Sequence, residues 1–327
     1  MKRIWISWER QQRSINLANR LSAELCLLDY EWLSLLRIPI SFLVTLIVVV
    51  RNRRNLIIIQ NPSMVLAVEC CMLRKILAFP LVIDRHSNFM IGCKNAESLK
   101  YRLFMAASTF TIRNANLTVV TNRMIQQRID NANGNAFVLT DPLPSKCPVR
   151  ASPPRASGLQ LMLPSSWAAD EPIIEVAEVC KILFDRIKVF VTGKPNKLTL
   201  KRVGRVPNFI TTGFLSYTDY IRLMAQCDCV MPLTTYPEIL TCGSYESLAL
   251  GKPMILGDTQ VQREFYVQGA VFTSCTTKDL KEKIEYVGEH LDCLTVKITQ
   301  LYHAKAQDWQ TRFSLLQDRM KLFERIH

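Results

Sequence analysis

The feature that most restricts this chain is a rhythm: short β-branched runs alternate with longer amphipathic stretches, which is the signature of βαβ units around a parallel sheet. In the first half the pattern predicts strands at Arg3–Trp8, Glu24–Leu28, Leu56–Gln60, Leu81–Asp84, Leu117–Thr121 and Ala136–Leu139. Helical spacing fills the gaps at Gln12–Leu21, Trp32–Val50, Met64–Leu77, Leu99–Ala115 and Arg123–Ile129. The rhythm then stops. The stretch "DPLPSKCPVRASPPRASG", Asp141 to Gly158, holds five prolines and three serines and has no periodicity, so it reads as a linker between domains.

Beyond the linker the alternation resumes. Strands are predicted at Leu159–Leu163, Lys188–Thr192, Asn208–Thr212, Cys229–Leu233, Pro253–Leu256 and Ala270–Thr273. Helices are predicted at Pro172–Phe184, Tyr217–Ala225, Cys242–Leu250 and Lys278–His290, and Thr295–His327 is helical by pattern. At 327 residues, 49% of them hydrophobic, the chain can build two cores. The expected organisation is α/β throughout: a doubly wound domain at 1–150, a second at 151–300, and a helical segment at 301–327 packing back on the first. Two open sheets in tandem create a cleft, and ligands of such sheets sit outside the carboxyl ends of the strands.

Composition narrows the chemistry. Eleven cysteines, an odd number without a Cys-x-x-Cys pair, read as reduced thiols rather than a disulfide framework, which points to a cytoplasmic protein. Four scattered histidines suggest no zinc site, and the absence of Asp-x-Asp removes the commonest carboxylate clamp for a nucleotide-bound divalent ion. No metal and no cofactor are expected. Residues 1–150 carry 20 basic against 9 acidic side chains, a net of +11, whereas residues 151–327 carry 21 against 19, a net of +2. Such asymmetry suggests that the first half faces a polyanion, either nucleic acid or an acidic membrane surface. A merely soluble basic surface is the plainer alternative.

The opening "MKRIWISWERQQR" turns polar where a signal peptide needs an apolar core, so none is expected. The longest apolar run, Ile40 to Val50, is about 11 residues and too short to span a bilayer. It is followed by Arg51, Asn52, Arg53 and Arg54. It reads either as a buried core helix or as one lying in the membrane interface, with its arginines on lipid phosphates.

The most informative stretch is "PEILTCGSYESLALGKPMI", Pro237 to Ile255. A strand ends before it, and a helix begins near Thr241. A helix start offers unpaired N–H groups and a positive dipole end, which together attract phosphate. Gly243, with Cys242 and Thr241, is expected to keep that terminus sterically open. Glu238 lies in the preceding loop and Glu246 about one turn into the helix. A carboxylate repels phosphate but accepts paired hydrogen bonds from vicinal hydroxyls, so a sugar–diphosphate–ribose ligand satisfies both glutamates and the helix start together. The alternative is a solvated loop residue and an exposed helix position. Gly251 then caps the helix and Pro253 opens the next strand.

This stretch resembles the Glu-x7-Glu region of GT-B glycosyltransferases, particularly the bacterial family four (group 1), which use nucleotide sugars. Other segments agree in order. "LPSSWAADEPIIEVAEV" looks like the opening of the donor domain, and "VFVTGKP" resembles the glycine turn near the nucleobase. "TTGFLSYTDYIRLMAQCDCVMPL" is similar to the family's next strand–helix–strand. In the first half, "IIIQNPS", "LVIDRHSNF" and "LTVVTNRM" look like strand ends facing the cleft, with a looser similarity to β-mannosyltransferases of lipid-linked oligosaccharide assembly.

The resemblance implies two Rossmann-like domains, an N-terminal acceptor domain and a C-terminal donor domain. It implies hexose transfer from a nucleotide-diphosphate sugar, the co-substrate, to a hydroxyl of a lipid-linked glycan acceptor in envelope or exopolysaccharide assembly. Glu238 would contact hydroxyls of the transferred sugar, Glu246 the ribose, the Thr241–Cys242–Gly243 amides the diphosphate, and Thr192 and Gly193 the nucleobase side. His86 matches a position where the family keeps a histidine beside the donor sugar; a structural histidine is the alternative. Asp84 is either an acceptor-side base or a strand-end cap. The family's basic residue after the first donor strand is not obvious in "SSWAADEP", so either Lys194 or Lys197 substitutes or the helix terminus carries more of the charge. "WISWERQQRS" also lacks the usual glycine-rich loop, with Arg10 to Ser14 in its place. Basic residues of the first domain would give peripheral contact with an anionic membrane at its inner face. Two other readings share some of these features: a sugar-nucleotide epimerase of the same architecture, and a non-enzymatic basic protein that binds membrane or nucleic acid. No nucleic-acid module is recognised, and nucleic acid is not an expected partner.

Overall fold

The computed structural model describes residues 1–30, 36–61, 63–85, 98–144 and 158–326. They form two compact units, Met1–Pro142 with Asp308–His327, and Leu143–Gln307. The division falls at the head of the proline-rich stretch rather than at 150, and the end of the chain returns to the first unit.

The first unit runs β1 (Arg3–Ser7), α1 (Gln12–Arg20), β2 (Glu24–Leu27), α2 (Arg37–Arg51), β3 (Leu56–Asn61), α3 (Met64–Leu77), β4 (Leu81–Arg85), α4 (Leu99–Asn114), β5 (Leu117–Val120), α5 (Arg123–Asn131) and β6 (Ala136–Val138). Its sheet is wholly parallel, in the order β2-β1-β3-β4-β5-β6. The order reverses between β1 and β3, which is the switch point of a doubly wound sheet. Side chains alternate across each strand. Ile4, Ile6, Ile57 and Ile59 point to one layer with Val49 of α2 and Leu66 and Cys70 of α3. Trp5, Ile58 and Val82 point to the other, against Leu17 and Ala18 of α1 and the stripe Trp309, Phe313, Leu316 and Met320 from the end of the chain.

One buried group of this unit titrates unusually. Glu69 of α3 is buried, and neither carboxylate oxygen has a hydrogen-bond partner. Burial pushes its pKa from 4.5 up to about 8. Between those values the folded chain keeps a proton that the unfolded chain has released, so stability falls as pH rises through this window. Glu69→Gln removes the ionisation. At pH 8 the variant is expected to be more stable than the parent by up to about 4 kcal/mol, with the gap closing towards pH 4.5. Denaturant melts at the two pH values check this, and a pH-independent gap would contradict it.

The second unit runs β7 (Leu159–Leu163), α6 (Ile173–Ile182), β8 (Ile187–Thr192), α7 (Lys197–Val203), β9 (Phe209–Gly213), α8 (Tyr217–Gln226), β10 (Cys229–Val230), α9 (Cys242–Ala249), β11 (Met254–Gly257), α10 (Gln260–Phe265), β12 (Ala270–Thr273) and α11 (Thr277–Ile326), whose residues from Asp308 on belong to the first unit. This sheet is also all parallel, ordered β12-β11-β10-β7-β8-β9, with the reversal between β7 and β10. β10 is shorter than the predicted Cys229–Leu233; Pro232 lies in that span and lacks the N–H that a ladder needs. The helices α7 and α10 were not predicted, because at 7 and 6 residues they are too short to display a helical period. α11 kinks at His290 (φ −116°, ψ 18°), and Leu280, Ile284 and Val287 before the kink fill the core of the second unit.

Candidate functional site

At the switch point of the second unit, the loop after β7 is knotted on Glu171. Its carboxylate accepts from Ser166 N and Trp167 N, both at 2.9 Å, and from the hydroxyls of Ser165 and Ser166. The knotted loop is then fastened to strand ends on both sides. Towards β8, Trp167 Nε1 donates to Thr192 O at 2.9 Å and Ser165 N to Thr192 Oγ1 at 3.3 Å. Gly193 follows with φ +83°, where a Cβ would come within 2.0 Å of Ser165 O, so only glycine fits. Towards β10, Thr234 Oγ1 donates to Asp170 Oδ2 at 2.5 Å and Thr235 N to Asp170 O at 3.0 Å. Thr192 and Gly193, predicted beside a nucleobase, thus sit in the wall that shapes this loop.

The N-terminus of α9 closes the same region. Thr241 occupies the N-cap with extended backbone, yet its side chain caps nothing, and Oγ1 is buried without a hydrogen-bond partner. In the neighbouring helices the corresponding Asn196 and Ser216 accept from first-turn amides. The turn is held instead from behind: Tyr266 Oη donates to Ser244 Oγ at 2.7 Å, Ser244 Oγ to Thr241 O at 2.6 Å, and Gln262 Nε2 to Ile239 O at 3.2 Å. The part assigned to Gly243 needs correction. It is buried, and a Cβ there would lie 3.1 Å from Pro164 and 3.3 Å from Pro232, so its lack of a side chain lets α9 pack against the ends of β7 and β10 rather than keeping the approach clear. Cys242 beside it is exposed.

Glu238, in the turn before α9, is only 3% exposed, so a solvated loop residue is excluded. Glu246 is partly buried rather than exposed, and its Oε2 accepts from Tyr220 Oη at 2.7 Å. Burial raises the pKa of Glu246, against the opposing pull of the Tyr220 hydrogen bond. Burial also drives the Tyr220 hydroxyl well above its ordinary value, so it remains a donor. Lys194 follows Gly193 in an exposed position and makes no ion pair with the described residues. Among the described residues no three His, Cys, Asp or Glu side chains converge as a metal site.

The first-unit candidates fare differently. His86 lies outside the described residues. Asp84, at the carboxyl end of β4, is buried and clamped by Arg13: Nε lies 3.1 and 3.0 Å from its two oxygens and Nη2 lies 2.8 Å from Oδ1. Arg13 also reaches Asp141 Oδ1 and Leu139 O. Asp84 is thus held at the strand end as the ion-pair partner of Arg13. Next to it, Arg85 is buried against Ser108 Oγ (3.0 Å) and Thr111 Oγ1 (3.2 Å), and burial lowers its pKa to about 10.

Sequence reasoning missed Glu171, Asp170, Tyr220 and Arg13. Arg13 had a faint signal, standing in the Arg10–Ser14 stretch that takes the place of the usual glycine-rich loop. Asp170 and Tyr220 had none, because each acts through a partner distant in sequence, whereas Glu171 acts within its own loop, on Ser165, Ser166 and Trp167.

No protein-family model matches the sequence, and no curated protein sequence matches it significantly. Solved structures do match. HepE of Anabaena, in complex with UDP, aligns with a TM-score of 0.72 at 16% identity, over 98% of this chain and 100% of that one. Sucrose-phosphate synthase from Thermosynechococcus elongatus aligns at 0.74 and 9% identity, over 100% of both chains. A glycosyltransferase from Rickettsia africae aligns at 0.68 and 11% identity, over 98% of this chain and 89% of that one. The fold is GT-B. Both Rossmann-like halves of a GT-B chain are thus present, and the candidate residues of the second half gather around its switch point, where open α/β sheets bind ligands.

Proposed function

We propose that this chain is a metal-independent glycosyltransferase that moves a hexose from a nucleoside-diphosphate sugar to a hydroxyl of a lipid-linked glycan acceptor, at the cytoplasmic face of a membrane, in envelope or exopolysaccharide assembly. The observation that carries the reading is the buried Glu238 immediately before the α9 terminus, whose N-cap side chain leaves the first turn unsealed. In this reading the diphosphate sits on the Thr241–Gly243 amides with Lys194 close by, and the positive end of α9 stabilises the charge that develops on the leaving nucleotide. Glu238 accepts from hydroxyls of the hexose. Glu246, oriented by Tyr220, accepts from the ribose, and Thr192 and Gly193 border the base. UDP and UDP-glucose complexes of HepE support a uridine nucleotide as the first donor to try.

The direct experiment is a thermal-shift screen with UDP, GDP and their hexose conjugates. A ligand at a hundred times its Kd stabilises the folded chain by about 2.7 kcal/mol. A clear upward shift with a nucleoside diphosphate and its sugar is expected, followed by sugar release or transfer. No shift with any member of the panel would overturn the reading.

A further inference from the structure

On the outer face of the first unit, α2 buries Ser41, Thr45 and Val49 and turns several of its large apolar side chains outward. Its small and hydroxylated residues Ser41 and Thr45 are fully buried, while Leu36, Ile38, Phe42, Leu43 and Ile47 are all exposed, Leu43 at 57%. The helix is held in this orientation by Trp8 Nε1 donating to Thr45 Oγ1 at 2.9 Å and by Arg37 Nη2 donating to Trp8 O at 3.0 Å. The apolar surface continues onto the neighbouring helices, with Met72 and Ile76 on α3 and Leu99 and Leu103 on α4, Ile76 reaching 78% exposure. A soluble surface has no reason to present so many large side chains together.

Its charge is equally one-sided. Arg51, Arg53 and Arg54 stand exposed at the end of α2, Lys75 on α3, and Lys100 and Arg102 on α4. The only acidic residue on the three helices is Glu69, which is buried. A second copy of this face would bring like charges together. Lipid phosphates would neutralise them while acyl chains covered the apolar side chains.

We propose that the outer face of α2, α3 and α4 docks on an anionic bilayer, with α2 lying in the interface. None of the described helices is long and apolar enough to cross a membrane. The proposal takes up the interfacial reading of the Ile40–Val50 run for its exposed side, while Val49 on the other side packs in the core. It does not rest on the transfer reading: membrane docking and nucleotide binding are read by separate measurements.

The test is flotation of the full chain with phosphatidylcholine vesicles, with and without phosphatidylglycerol. The chain is expected to float only with phosphatidylglycerol and to be released by salt. Arg53→Gln with Arg54→Gln is expected to weaken the partition roughly 30-fold, from about 1 kcal/mol per basic residue at an anionic surface. The triple variant Phe42→Ser, Leu43→Ser, Ile47→Ser is expected to lose flotation while keeping the parent's melting temperature and its thermal shift with UDP. Three results would each overturn the proposal: no flotation of the parent, undiminished flotation of the triple variant, or a parent dimer that the triple variant dissolves into monomers.

Discussion

Asp84→Ala is expected to cost the fold about 3–5 kcal/mol, because it leaves the Arg13 guanidinium buried and stripped of its bidentate partner. Arg13 is raised above the usual guanidinium range even though burial alone would lower it; the charges of Asp84 and Asp141 overcome the desolvation. Asp141 remains after the substitution, but it is the more exposed of the two carboxylates and cannot replace both bonds. A loss of this size is a large part of the net stability of an ordinary domain. Replacing both partners with apolar residues, Arg13→Met with Asp84→Leu, is expected to recover most of it, since the cost lies in one uncompensated charge rather than in the absence of the pair. Denaturant titration decides. A single-variant loss below about 1 kcal/mol would mean that the clamp carries little of the fold's stability.

The second large effect concerns chemistry. In the proposed site Glu238 touches the hexose and Glu246 the nucleotide, so their variants separate. Glu238→Ala is expected to lower transfer by about 100- to 1,000-fold, the usual consequence of removing one preorganised contact at the reacting centre, while the thermal shift with UDP persists. Glu246→Gln is expected to do the reverse, weakening the UDP shift and raising the donor KM more than it lowers kcat. Glu238→Gln, which keeps the buried shape, controls for folding. Parent-level turnover by Glu238→Ala would sink the assignment of Glu238, and an unchanged UDP shift in Glu246→Gln would sink that of Glu246.

Much of the architecture was legible in the chain itself. The alternation of β-branched runs with helical spacing is a local property, so strands such as Leu56–Asn61 and Leu81–Arg85 and helices such as Met64–Leu77 appear where the pattern puts them. Local punctuation was legible as well. Gly251, at φ +67°, ends α9 in the left-handed turn that its place after Leu250 requires. Glu238 and Glu246 could be singled out because a strand, a glycine-bearing helix start and a capped helix end surround them in one short stretch.

The tertiary structure decided everything that depends on partners distant in sequence. Arg13 finds Asp84 across a separation of 71 residues, and Tyr220 finds Glu246 across 26; no local pattern encodes either meeting. Gly243 looked like an opening for a ligand and proved to be a packing requirement, because Pro164 and Pro232 occupy the space a side chain would need. Most telling is α2, whose apolar run is compatible with either face turned inward. In the fold Thr45 turns inward and accepts from the Trp8 indole N–H, a partner 37 residues away that no local pattern encodes. Periodicity is written residue by residue, whereas orientation and pairing follow from which surfaces the parallel sheet brings together.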